Sequence, residues 1–121
     1  MSNVLVYDTS AIAALIDAQG LALHYWQEAD RGRLIVALPA LAVAEVSRDR
    51  AMTVGDWEAL LMPEFVQVIP LTETAAVEIG TYGSGDLAVC HALWEAIHLQ
   101  AILVTRLPGL YVPGQVPLLI V

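Results

Sequence analysis

Five short apolar runs, largely of β-branched and leucine residues, constrain this chain most: Val4–Tyr7, Leu34–Leu38, Val66–Ile69, Ala101–Thr105 and Pro117–Val121. Apart from Gln67 and the terminal Thr105, every residue in these runs is apolar. A strand with one wet face alternates apolar and polar, so these runs read as strands covered on both faces, the situation inside a parallel sheet. Alanine- and leucine-rich stretches with helical spacing separate them. The spacing predicts helices over Ser10–Gln19, ended by Gly20, over Leu21–Arg31, and over Ala40–Met52 with Pro39 in its first turn. It predicts others over Gly55–Leu61, closed by Pro63, over Glu73–Thr81, capped by Thr72, and over Asp86–Gln100. On the last of these, Leu87, Cys90, Trp94 and Ile97 form the stripe expected to face the core. Strands alternating with helices give an α/β chain, a three-layer α/β/α sandwich around a mostly parallel five-stranded sheet. Leu107–Gln115, with two prolines and two glycines, reads as a loop. No linker or repeat interrupts the pattern, so residues 1–121 are expected to form one domain.

Composition removes several function classes. Of 121 residues, 58% are hydrophobic and 15% charged, which rules out a disordered chain. The longest uncharged runs, Leu34–Ala44 and Leu107–Val121, are shorter than the ~18 residues a spanning helix needs, and both contain proline, so no membrane is expected. The opening MSNVLVYD has no basic stretch, so no signal peptide is expected. Cys90 is the single cysteine, which excludes an internal disulfide and a multi-cysteine zinc site and fits a reducing cytoplasm. The net charge is −8, with no lysine, and the only cations are Arg31, Arg33, Arg48, Arg50 and Arg106. Such a chain is no simple nucleic-acid coat, although acids bridged by a cation can still work on phosphates.

In a parallel α/β sheet, ligands sit beyond the carboxyl ends of the strands, which singles out three acids. Asp8 follows the first strand directly; by itself it reads first as a helix cap beside Thr9 and Ser10. Glu45 lies in the apolar stretch LIVALPALAVAEV, where a carboxylate needs a partner; the plain alternative is a helix pair with Arg48. Asp86 ends GTYGSGD and opens the last long helix, again a cap position. The glycines there lack the third glycine of a dinucleotide loop and the lysine of a P-loop. Taken together, three carboxylates on three elements suit a hard cation, Mg²⁺ or Mn²⁺, which would serve phosphodiester hydrolysis.

The segments VLVYDTSAIAALID, PALAVAEVSR and GDLAVCHALWEAIHLQAILVTR resemble, in order and spacing, the PIN domain, and most closely the VapC-type toxin ribonucleases of toxin–antitoxin pairs. The resemblance spans residues 4 to about 106. It implies a PIN-like sandwich and a Mg²⁺- or Mn²⁺-dependent site cleaving RNA. Asp8, Glu45 and Asp86 match the family's metal-binding and catalytic acids, and Ser10 and Thr105 its supporting hydroxyls. It also implies homodimerisation and a cognate antitoxin protein. The family places a further acid two residues beyond that threonine; here the chain runs Thr105-Arg106-Leu107-Pro108. Arg106 then becomes a candidate phosphate contact, and a single ion is expected instead of two. The missing acid, the absence of lysine and the −8 charge also fit another class, a degenerate PIN module that binds or regulates without cleaving. A metal-dependent phosphatase or DNA nuclease on a similar sheet is the third reading. His91 and His98 read as core-edge residues, His24 as packing, Cys90 as a small buried hydrophobe, and Arg48 and Arg50 as either phosphate donors or a solvated helix face.

Overall fold

The structure, a computed structural model, describes residues 3–121. Five strands form in the expected places: β1 (Val4–Tyr7), β2 (Ile35–Pro39), β3 (Val66–Ile69), β4 (Ile102–Thr105) and β5 (Leu118–Ile120). They form one sheet in the order β3-β2-β1-β4-β5, and every pairing is parallel. The helices are α1 (Thr9–Ile16), α2 (Gly20–Asp30), α3 (Ala40–Asp49), α4 (Val54–Leu60), α5 (Glu73–Gly80) and α6 (Leu87–His98).

Alternate side chains of each strand feed two cores. Leu5, Tyr7, Val36 and Leu38 pack with Ile12 and Leu15 of α1, Ala22 and Ala29 of α2, and Ala42 and Val46 of α3. Val6, Ala37 and Leu103 face the other way, against Ala92 and Ala96 of α6. Both faces of β1, β2 and β4 are thus covered, which is why these strands do not alternate; in the edge strand β3, Gln67 and Val68 are exposed. Helix α5 lies outside α6, with Ala75 and Ile79 against Cys90 and Trp94.

Several boundaries differ from the expectation for local reasons. Helix α1 ends at Ile16, and Ala18 turns the chain at φ +53°; Gly20 opens α2 instead of ending α1. Pro39 belongs to β2 and caps α3 in extended backbone, one step before the first turn. Thr53 and Asp56 form a reciprocal capping box that starts α4. Of the stripe expected to face the core from α6, Cys90 and Trp94 are buried, beneath α5, and Leu87 and Ile97 are not. Leu87 is 60% exposed and Ile97 38%, while Ala88, His91, Ala92, Glu95 and Ala96 are buried. Small alanines at i, i+4 and i+8 let the helix lie close on the sheet.

His91, fully buried, therefore sits inside the core and not at its edge. Its Nε2 lies 3.2 Å from Glu95 Oε2, and the Leu41 amide donates to its Nδ1 at 3.5 Å. With Nδ1 accepting, the neutral ring carries its proton on Nε2 and donates to Glu95. Burial lowers the His91 pKa and raises that of Glu95. His98 is exposed and stacks on Trp94 at 3.8 Å.

Three of the four strand-to-strand connections contain helices. The fourth, residues 106–117 between β4 and β5, has only a single 3₁₀ turn, Pro108–Leu110. Parallel neighbours need a crossover of about a dozen residues, usually a helix. Here the crossover is anchored by Tyr111, the one buried residue between Arg106 and Gln115, which enters the core beside Val6, Ala92 and Leu103.

Candidate active site

The strand order reverses at β1, which has β2 on one side and β4 on the other. The carboxyl ends of β1 and β4 therefore flank the crevice where open α/β sheets bind ligands. Asp8 follows β1, and Thr105 ends β4. The Asp8 amide donates to the Val104 carbonyl at 3.1 Å, continuing the β1–β4 pairing by one residue.

Asp8 is 1% exposed. Its Oδ1 accepts from the Ala11 amide at 3.0 Å, capping α1, and from the Ser10 hydroxyl at 2.7 Å. Its Oδ2 accepts from the Tyr111 hydroxyl at 2.7 Å. The Ser10 and Thr105 oxygens lie 3.3 Å apart. Since the single Ser10 proton is committed to Asp8, Thr105 donates in that pair. Backbone amides complete the chain: Arg106 donates to Ser10 Oγ and Leu107 to Thr105 Oγ1, each at 2.9 Å. This relay satisfies a buried carboxylate whose isolation would be costly. Tyr111, 5% exposed, has its hydroxyl pKa pushed far above the ordinary range by burial and by the Asp8 charge, so it stays a donor.

The other two acids lie elsewhere along the same edge. Asp86 caps α6, its Oδ1 accepting from Ala88 N at 2.8 Å and Val89 N at 3.4 Å, and it is exposed. Glu45, on α3, shares an open pocket with Asp86, lined also by Leu41, Arg48 and Leu87. The pocket is about 320 Å³. Glu45 has its carboxyl pKa raised, first by partial burial, then by the charges of Asp86 and Asp49; Arg48 opposes this. Arg48 makes its ion pair with Asp49 at 3.9 Å, both well exposed. The helix pair Glu45–Arg48 is thus replaced by a like-charged neighbourhood.

A carboxyl whose folded pKa is raised stabilises the fold below its unfolded value, and that contribution is lost as pH rises through the folded value. Glu45→Gln removes the loss. Urea denaturation should show a gain of about 0.5 kcal/mol at neutral pH, the scale of a like-charged i, i+4 contact such as Glu45–Asp49, and none near pH ~3.

The structure thus brings Glu45 and Asp86 to one pocket and keeps Asp8 off its lining, closed beneath Tyr111. Among the described residues, no group of three or more His, Cys, Asp or Glu side chains is placed to hold a metal ion. Two oxygen donors still fit a hydrated hard cation, because Mg²⁺ is commonly held by one or two carboxylates plus water and phosphate. Arg106 is exposed, and its guanidinium donates to Gln19. Arg50 is paired with Asp17, which leaves Arg48 as the arginine on the pocket rim. Sequence reasoning missed Tyr111. Its only signal is a lone aromatic in a segment otherwise rich in proline and glycine.

No family model and no curated protein matches the chain. Among solved structures, one that matches is a chain of VapBC2 from Rickettsia felis, determined bound to a DNA fragment from their promoter. The TM-score is 0.64 at 12% identity, covering 96% of this chain and 97% of that one. The fold is therefore VapC-like, a PIN-type sandwich. Among the described residues, no helix is long and apolar enough to cross a membrane.

Proposed function

We propose that this PIN-like chain is a toxin-type endoribonuclease of a two-protein toxin–antitoxin pair, acting in the cytoplasm on RNA. The observation that carries the reading is the like-charged Glu45–Asp86 pair on one open pocket at the carboxyl edge of the sheet. Mutual repulsion there is relieved when a cation joins the two acids. Glu45 and Asp86 are the residues that would hold one Mg²⁺ or Mn²⁺. When bound, such an ion neutralises charge on a phosphodiester and acidifies water.

The chain's own residues do the rest. Arg48, on the pocket rim, offers forked donors to a phosphate oxygen. The Ser10–Thr105 relay fixes Asp8 and the start of α1 beside the crevice. The VapBC2 likeness supports an antitoxin partner. A second hollow, of about 430 Å³ and lined by Tyr82, Ser84, Val89, Leu93, Val112 and Gln115, offers a surface for one. Homodimerisation belongs to the same reading.

Closure of Asp8, together with Thr105-Arg106-Leu107 in place of a further acid, favours a second reading, a PIN-like module that binds without cleaving. Calorimetric titration of Mn²⁺ into the parent, Glu45→Gln and Asp86→Asn separates the two. The expected result is saturable binding by the parent, weakened at least about tenfold in both variants. Absence of binding by a folded parent would retire the cation-dependent ribonuclease in favour of the module.

A further inference from the structure

From the contacts around Asp8 we infer that Tyr111 is a positioning residue: its hydroxyl holds Asp8 away from the Glu45–Asp86 pocket, and the helix-free crossover 106–117 is a strap that keeps it there. The inference rests on the reading of Glu45 and Asp86 as the cation pair. An ionised carboxylate has about four acceptor positions. Ser10 and Ala11 occupy Oδ1, and Tyr111 occupies Oδ2. Asp8 therefore retains one free position, and at 1% exposure that position faces protein and not water. Of its three donors, two come from α1 itself, within three residues, and are fixed by the helix start. Only Tyr111 comes from elsewhere, 103 residues along the chain.

Arg106 and Leu107 tie the start of the strap to Ser10, Gln19 and Thr105; beyond them its one buried hold is Tyr111. Every residue from Arg106 to Gln115 is exposed except Tyr111. The Tyr111 amide donates to the Pro108 carbonyl at 3.2 Å, closing the 3₁₀ turn that aims the ring inward, and Gly114 takes the left-handed φ of +85° that carries the chain on to β5. Two states follow. With the strap seated, the pocket offers a cation two carboxylates. With Tyr111 lifted, Asp8 regains an oxygen at the same sheet edge and can serve as the third.

Tyr111→Phe keeps the ring and removes the donor; Tyr111→Ala removes the cover. The first measurement needs no metal. Carboxyl groups of the folded protein are coupled to glycinamide with a water-soluble carbodiimide, and the sites are mapped by mass spectrometry. In the parent, Asp86 should label and Asp8 should not. In Tyr111→Phe, and more so in Tyr111→Ala, labelling of Asp8 should rise toward that of Asp86. Circular dichroism melts confirm which variants are folded. The second measurement is Mn²⁺ titration. Tyr111→Phe should bind more tightly than the parent, as a site gaining a third carboxylate does, and adding Asp8→Asn should cancel that gain.

Labelling of Asp8 in the parent as fast as Asp86, or no labelling of Asp8 in either folded Tyr111 variant, would overturn the strap. Unchanged Mn²⁺ affinity in a variant whose Asp8 labels freely would overturn the positioning role. If no variant binds Mn²⁺ while Asp8 labelling still rises, the strap stands and the cation reading of the pocket falls.

Discussion

Replacing His91 with alanine is expected to cost about 3–5 kcal/mol, a large share of the roughly 5–15 kcal/mol that holds a domain of this size. The cause is the partner left behind more than the lost ring. Glu95 is 5% exposed, and His91 is its buried hydrogen-bond donor. Alanine would leave that carboxyl facing a cavity between α6 and α3. Substituting both residues, His91→Leu with Glu95→Met, should return stability to within about 1 kcal/mol of the parent or above it, since apolar groups of similar volume remove the desolvation cost altogether. Urea denaturation of the two variants checks this; equal losses in both would show that packing volume, not the orphaned carboxyl, sets the effect. The pair also predicts an acid response. His91 has its pKa lowered by burial, so its contribution is complete above the unfolded value of ~6.5 and is lost as pH falls through the lower folded value. The double variant should lose less stability over that window than the parent does.

Asp8→Ala should be the next most damaging change, at about 2–4 kcal/mol. It removes the cap of α1 and strands the buried Tyr111 hydroxyl, two losses of about 0.5–2 and 1–3 kcal/mol. Asp86→Ala, which removes an exposed cap, should cost about 1 kcal/mol. Chemical denaturation of both variants tests the contrast, and comparable losses would mean that the Ser10–Asp8–Tyr111 relay contributes little. The difference also decides how activity data should be interpreted. Loss of function on Asp8→Ala would follow from damage to the crevice whether or not Asp8 meets a cation. Asp86→Asn, which keeps a capping oxygen, is the cleaner probe of the pocket.

The strands and most helix starts were legible because each rests on local physics. Runs that are apolar on successive residues announce a sheet covered on both sides, and Thr72 and Asp86 cap the helices they precede. The burial of α6 was legible only in part. Cys90 and Trp94 are buried as the stripe requires, but against α5, while Leu87 and Ile97 give way to Ala88, Ala92 and Ala96, because close approach of helix to sheet needs small residues. His91 and Glu95 enter that core only because each meets a partner there, one on its own helix and one on α3. At the candidate site, the sequence singled out Asp8, Glu45 and Asp86 as carboxylates on three elements but carried no sign of how they are grouped. Glu45 and Asp86 meet through the packing of α3 and α6, while the closure of Asp8 depends on Tyr111, whose hydroxyl arrives from 103 residues away. No local pattern encodes such a contact.

The crossover between β4 and β5 also shapes how the molecule opens. Every other strand is tied in by a helix that forms part of a core, but β5 is three residues long, touches only β4 in the sheet, and is reached by a loop with one buried side chain. Detaching it breaks that edge pairing and unseats Tyr111 without dismantling either layer of helices. Residues 106–121 are thus expected to open together, and hydrogen exchange should find their amides exchanging ahead of those in β1 and β2. While that unit is out, β4 has a bare edge at which the same tail from a second molecule could pair in place of its own.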